Sequence, residues 1–199
     1  MSNNINIERH PWTPFIPDGA KILFLGSFPP KEDKWCMDFY YPNKINDFWR
    51  VIGLIFYNNV QYFWHTEKSA FNKDKIITFL EKHKIAIADS AIEAIRHNNN
   101  ASDKFLEIIT PINLVDILCA NSECNNIVST GQKAAEVIAN ITNTTIPKIG
   151  NYVEAIIKKR VIRIHRMPST SRAYPLSLPQ KASFYKTLFE NLAILNQNE

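Results

Sequence analysis

The sequence predicts an α/β domain built on a mostly parallel sheet with helices on both faces. Three observations lead there. Four short apolar runs, Lys21–Ser27, Ile85–Ala91, Asn126–Gly131 and Arg160–His165, are spread along the chain, and buried parallel strands read as such runs rather than as alternation. Segments with helical spacing of apolar residues lie between and after them. No linker, repeat or low-complexity stretch divides the 199 residues, so one domain spanning 1–199 is expected.

Taken in order, residues 10–20 hold three prolines and a glycine and read as an extended lead-in to the first strand, KILFLGS. A long loop rich in aromatics and prolines, Phe28 to Lys44, follows. The text NDFWRVIGLIFY then places Phe48, Val51, Ile52 and Ile55 at helical spacing, with Asn46 available as a cap. A second helix is expected over about Phe71 to His83, with Ile76, Phe79 and Leu80 on one face. IAIADSA is the second strand. Residues 96–102 read as a polar turn, and Ser102-Asp103 as the cap of a short helix. NIVSTG is the third strand, and Gly131 leads directly into the helix QKAAEVIANI. RVIRIH is the fourth strand, and a last helix runs from about Gln180 to Leu195.

Composition sets bounds. Apolar residues make up 45% and charged residues 21%, ordinary globular usage, and the net charge of +4 permits a polyanionic partner without demanding one. Met1 to Arg9 are polar, and no apolar run approaches the roughly 18 residues of a membrane span. A cytoplasmic protein with no membrane partner is expected. Cys36, Cys119 and Cys124 are odd in number and match no metal spacing, and a four-cysteine cluster is excluded by count. His10, His65, His83, His97 and His165 are scattered. No metal and no cofactor are expected.

In parallel sheets, function gathers in the loops that leave the carboxyl ends of the strands. Two such loops stand out. In the first, Gly26 to Arg50, Gly26 and the prolines Pro29 and Pro30 allow a sharp turn. Trp35, Phe39, Tyr40 and Tyr41 supply flat apolar surface, and Asn43 and Asn46 supply amides. Aromatic faces with an amide are what a pocket needs to hold a nucleobase turned out of its stack. The same residues also suit a satellite core, with Asn46 a helix cap. In the second loop, Met167 to Pro175, Ser169, Thr170, Ser171 and Arg172 follow Arg163 and Arg166. Hydroxyls and guanidiniums suit phosphate oxygens; a solvated Ser/Thr turn is the alternative. Ser129 to Ala135, STGQKAA, lacks the Gly-Lys-Ser/Thr ending of a phosphate loop and fits a strand-to-helix junction. Asp89 ends the second strand, as a buried working carboxylate or as a cap.

Together the two loops resemble the uracil-DNA glycosylase superfamily, closest to its hypoxanthine-DNA (deoxyinosine) glycosylase branch. The resemblance rests on Gly26-Ser27-Phe28-Pro29, the pair Tyr40-Tyr41, Asn46-Asp47-Phe48-Trp49, the late Pro168-Ser169-Thr170-Ser171, and the intervening segments, over roughly Pro11 to Leu192. It implies a three-layer α/β/α fold with a four-stranded, mostly parallel central sheet. It implies a monofunctional, metal-free, monomeric enzyme that flips a deaminated base, uracil or hypoxanthine, out of duplex DNA. By the same likeness Asn46 is the expected catalytic amide. Gly26, Ser27, Phe28, Pro29, Tyr40, Tyr41, Asn43 and Met167 form the base pocket, and Pro168, Ser169, Thr170, Ser171 and Arg172 bind DNA.

The sequence also departs from the pattern. Phe28 stands where many members carry an Asp or Asn that positions water, and Met167 where many carry His or Asn. Pro30 replaces a small residue, and KEDKWCMD is an unusual insert. The expected chemistry is hydrolysis of an N-glycosidic bond, with backbone N–H groups of Ser27 and Phe28 on a base carbonyl, Phe28 or Tyr41 stacked on the base, and Asn46 orienting water. Two alternatives stay open: a catalytically silent nucleic-acid-binding relative, and a hydrolase of free nucleosides or nucleotides.

Overall fold

In the computed structural model, which describes residues 6–97 and 103–195, the elements run β1 (Ile7–Arg9), β2 (Ile22–Gly26), α1 (Phe48–Tyr57), β3 (Trp64–His65), β4 (Ala70–Phe71), α2 (Lys73–Lys82), β5 (Ile85–Asp89), β6 (Ala91–Arg96), β7 (Leu106–Pro111), α3 (Leu114–Ala120), β8 (Asn126–Ser129), α4 (Gln132–Thr142), β9 (Tyr152–Ile157), β10 (Arg160–Arg166) and α5 (Leu178–Asn191). The four expected strands are β2, β5, β8 and β10. They pair in parallel in the order β5-β2-β8-β10. Their buried residues are mostly apolar, with Ser129 and His165 the buried polar ones among these four strands; every residue of β2 is buried.

The sheet has a fifth strand that the apolar runs do not reveal. β9 pairs antiparallel with β10 at the edge, Ile157 opposite Arg160. The turn between them is Lys158-Lys159, both in left-handed conformation (φ 50° and 66°). Two-residue hairpin turns of this kind ordinarily carry Asn or Gly, so the text IIKKRVI holds no turn signal. A three-stranded antiparallel sheet, β1-β6-β7, and a short hairpin, β3-β4, were also not expected. The short helix capped at Ser102-Asp103 is a turn of 3-10 helix over Asp103–Phe105 that runs into β7; Ser102 lies outside the described residues, as does most of the expected polar turn over 96–102.

Chain direction fixes the layers. From β2 the chain crosses one way to β5, then back over β2 to β8 and on to β10. Right-handed crossovers put α1 and α2 on one face, and α3 and α4 on the other. α5 returns to the first face, where Phe24 of β2 meets Phe48 of α1 and both Tyr185 and Phe189 of α5. The three-layer α/β/α arrangement follows. Caps end the helices where the pattern stops: Asn72 accepts from the Lys75 amide, Asn58 and Asn143 turn left-handed after α1 and α4, and Ser177 with Gln180 forms a capping box on α5. Among the described residues no helix is long and apolar enough to cross a membrane.

Candidate active site

Because the connections from β2 and to β8 run to opposite sides, a crevice opens beyond their carboxyl ends. That is where α/β sheets hold ligands. A cleft of about 570 Å³ lies there, walled by Gly26 to Pro30 after β2, by Tyr41 to Asn43 and Asn46 before α1, by Thr130 and Gly131 after β8, and by Ser169 to Ser171 after β10. Loops distant in sequence therefore face one another across one space.

Gly26 is required by close approach. It pairs in register with Asp89 at the end of β5, and a Cβ at Gly26 would collide with the Asp89 carboxylate and press on the Tyr41 hydroxyl at 3.3 Å. Asp89 lines the cleft and its side chain is only 10% exposed. His10 Nε2 lies 2.9 Å from its Oδ2. The other ring nitrogen, Nδ1, sits between the Trp12 amide (3.1 Å) and the Trp12 carbonyl (2.8 Å). A neutral ring accepts from that amide and a charged ring donates to that carbonyl, so in both states Nε2–H donates to Asp89.

Asp103 brings a second carboxylate to the cleft, where the Ser27 hydroxyl donates to its Oδ1 at 2.8 Å. Desolvation against the cleft wall raises its pKa above the usual carboxylate value, and the charge of Asp89 adds to the rise; the Ser27 bond opposes it. Its outer side remains open to solvent.

Tyr41 and Tyr40 part company. Tyr41 has a positive φ of 54°, an uncommon state for a bulky residue and one found at functional sites. Its ring stacks on Phe48 at 4.0 Å, and its hydroxyl lies 2.6 Å from Thr130 Oγ1. Burial, then the charge of Asp89, pushes its pKa well above the ordinary tyrosine value. Tyr40 turns the other way. It is 1% exposed, bonds the Thr13 carbonyl and stacks on His10. It does not line the cleft; its ring supports His10, which holds Asp89. Phe28 lines the cleft and packs behind it against Ala91, Ala94 and Leu106.

Asn46 lines the cleft. Its Oδ1 accepts from the Phe48 amide at 2.9 Å, its backbone bridges to Ser171, and its N–H donates to the Asn43 carbonyl. The helix-capping position belongs to Asp47, which makes no capping bond.

In the late loop, Ser169, Thr170 and Ser171 line the cleft, while Met167 and Pro168 do not. Met167 is 2% exposed and is part of the main core; its amide donates to Ser129 and continues the parallel pairing of β10, which aims the side chain inward. The Pro168 carbonyl accepts from Tyr185. Arg172 sits at the surface with its side chain half exposed and its Nε 3.0 Å from Asp47 Oδ1. Arg50 is near enough for the Arg172 charge to add to burial in lowering its pKa, so two guanidiniums stand close together here. Arg163 pairs with Glu154 on the edge hairpin, and Arg166 bonds Gln132 and the Pro147 carbonyl. His165 is buried against Tyr152 and Asn126 and stands apart from the cleft.

Sequence reasoning named neither Asp103 nor Thr130 for the site and left Asp89 undecided. Each sits at an element end and meets the loops only in the folded sheet. Among the described residues no group of three His, Cys, Asp or Glu is placed to hold a metal.

No family model matches the chain, and no curated protein matches it. Solved structures do. A solution NMR structure of an inferred uracil DNA glycosylase from Methanosarcina acetivorans superposes with a TM-score of 0.61 at 19% identity, covering 94% of this chain and 99% of that one. The chain shares the α/β/α fold of that structure. In that fold the cleft described above lies between the two loops that the sequence resemblance singled out.

Proposed function

We propose that the chain is a monofunctional DNA glycosylase that hydrolyses the N-glycosidic bond of a deaminated base, hypoxanthine or uracil, in duplex DNA, as the first step of base-excision repair. The observation that carries this reading is the single cleft in which Gly26–Phe28, Tyr41, Asn46 and Asp89 face the hydroxyl loop Ser169–Ser171. Its volume of about 570 Å³ falls in the range of about 300–1,000 Å³ usual for small-molecule sites.

Deamination replaces an exocyclic amine by a carbonyl and puts a proton on the neighbouring ring nitrogen. A carboxylate at the cleft wall accepts a hydrogen bond from that new N–H and repels the bare lone pair that adenine or cytosine presents there. Asp89 fills this role, with His10 fixing its orientation and sharing its charge, so the departing base anion does not meet a bare carboxylate. Backbone N–H groups of Ser27 and Phe28 receive the base carbonyl, and Phe28 supplies apolar surface to the ring. Asn46 orients the attacking water; an amide is a poor base, and the oxocarbenium-like character of such transition states reduces the need for a strong one. Ser169, Thr170 and Ser171 hold backbone oxygens, and Arg172 and Arg50 add charge at the phosphates.

The test is a panel of duplexes carrying uracil, hypoxanthine, xanthine or thymine, treated with the protein and then with alkali. Hypoxanthine or uracil is released, and thymine paired with adenine is retained. No release from any duplex refutes the reading. Cleavage of free nucleosides in preference to DNA, with no salt-dependent duplex binding, assigns the cleft to nucleoside hydrolysis instead.

A further inference from the structure

Lys181 is a lysine where the pattern of α5 calls for an apolar residue. It is 1% exposed, and lysine is almost never so buried unless paired. Its Nζ donates to Asp47 Oδ2 at 3.0 Å and to the Ser171 carbonyl at 2.8 Å. Asp47 is equally displaced from its local role. It stands at the N-terminal cap of α1, where an aspartate ordinarily bonds the free amides of the first turn, yet it makes no such bond. Its carboxylate is spent on Lys181 and Arg172, and its amide donates to the Thr170 carbonyl. Asn46, one residue earlier, bridges to Ser171. The base-side loop and the late loop are thus joined by main-chain bonds on one side and by a closed ion pair on the other.

The two cations on Asp47 differ in access. The Lys181 side chain is 1% exposed and that of Arg172 is 50% exposed, around a carboxylate that is 8% exposed. Arg172 can leave for an external anion while Asp47 keeps a buried counter-charge. Resting on the glycosylase reading, we infer that Lys181 is a positioning residue: it holds Asp47, and through it Asn46, in place while Arg172 exchanges the Asp47 carboxylate for a DNA phosphate. Binding of the DNA backbone is then accommodated without disturbing the amide that orients water.

The experiment compares wild type, Lys181→Met and the charge-neutral pair Asp47→Asn with Lys181→Met. It reads single-turnover release at saturating enzyme, affinity for a duplex with a cleavage-resistant 2′-fluoro nucleoside, thermal stability, and amide hydrogen exchange over residues 46–48 and 170–172 without DNA. Lys181→Met slows release about 10- to 100-fold, the range that a small misplacement of reacting groups costs, and weakens duplex binding, because Arg172 then carries the Asp47 charge alone; the neutral pair, whose residue 47 no longer holds Arg172 by charge, regains duplex affinity. Exchange quickens in both segments together. The neutral pair regains stability and not the rate; should Lys181→Met alone fail to fold, this variant carries the kinetic test. A wild-type rate in either variant, or exchange that quickens in one segment only, overturns the inference. If the wild type releases no base, the functional reading fails by itself and the exchange result still decides whether Lys181 joins the two loops.

Discussion

At the residue scale, the cleft depends on groups diverted from ordinary local duties. Asp89 ends a strand and is held by a histidine 79 positions away. If Asp89 reads the base, Asp89→Ala removes the acceptor for the ring N–H of a deaminated base. A hydrogen bond to a charged group is worth about 1.5–3 kcal/mol, and the loss is expected as a fall of kcat/KM on deoxyinosine duplexes; an unchanged value removes Asp89 from base recognition. Arg172 belongs to the DNA side. Arg172→Ala is expected to weaken duplex binding more than it slows release from bound DNA, because phosphate contacts set register rather than perform chemistry. Affinity and single-turnover rates measured together check this, and a loss confined to the rate contradicts it. The two tyrosines show what text alone conceals: Tyr40 and Tyr41 are adjacent and chemically identical, yet Tyr41, at a positive φ, lines the cleft while Tyr40 is buried in the core.

At the element scale, the edge hairpin supplies a prediction of its own. Lys158 and Lys159 both hold a left-handed conformation, which costs an ordinary residue about 1–2 kcal/mol. Replacing the pair by Asn-Gly, the usual text of such a turn, is expected to raise stability by roughly 1 kcal/mol. The check is the denaturation midpoint at unchanged slope, and a lower midpoint contradicts it. The same turn explains where sequence reading stopped. β2, β5, β8 and β10 were legible because each is a short apolar run that no helix of that length matches. β9 was not, because Ile156 and Ile157 run into β10 with no glycine or asparagine between. β6 pairs with β1, far from it in sequence, and β7 pairs with β6; nothing local in AIEAIR distinguishes a strand from a helix turn. The site divides likewise. Residues carried on the two long loops were legible as a group, since the loops follow strand ends. Asp103 and Thr130 were not, since only the sheet order brings them beside Ser27 and Tyr41.

At the scale of the whole molecule, folding couples to pH through a histidine outside the cleft. Burial, then the nearby Arg163 charge, lowers the His165 pKa to about 4. The unfolded chain takes up that proton near pH 6.5 and the folded chain does not. This group's contribution to stability is therefore complete above pH 6.5 and is lost as pH falls towards 4, at no more than about 1.4 kcal/mol per pH unit. His165→Gln is expected to flatten the stability profile between pH 4 and 6.5 relative to wild type, measured by urea midpoints; a parallel profile contradicts the assignment. The cleft itself is assembled from four strand ends, so its integrity and that of the sheet are one property. Release of a damaged base from this cleft, with Asn46 orienting the water, is the step on which the proposed function stands. It is measured most directly as single-turnover release from a deoxyinosine or deoxyuridine duplex by wild type and by Asn46→Ala, with circular dichroism to show that the variant is folded. Wild type is expected to release the base, and the folded variant to be slower by roughly 100-fold. Release at the wild-type rate by Asn46→Ala would contradict the assignment.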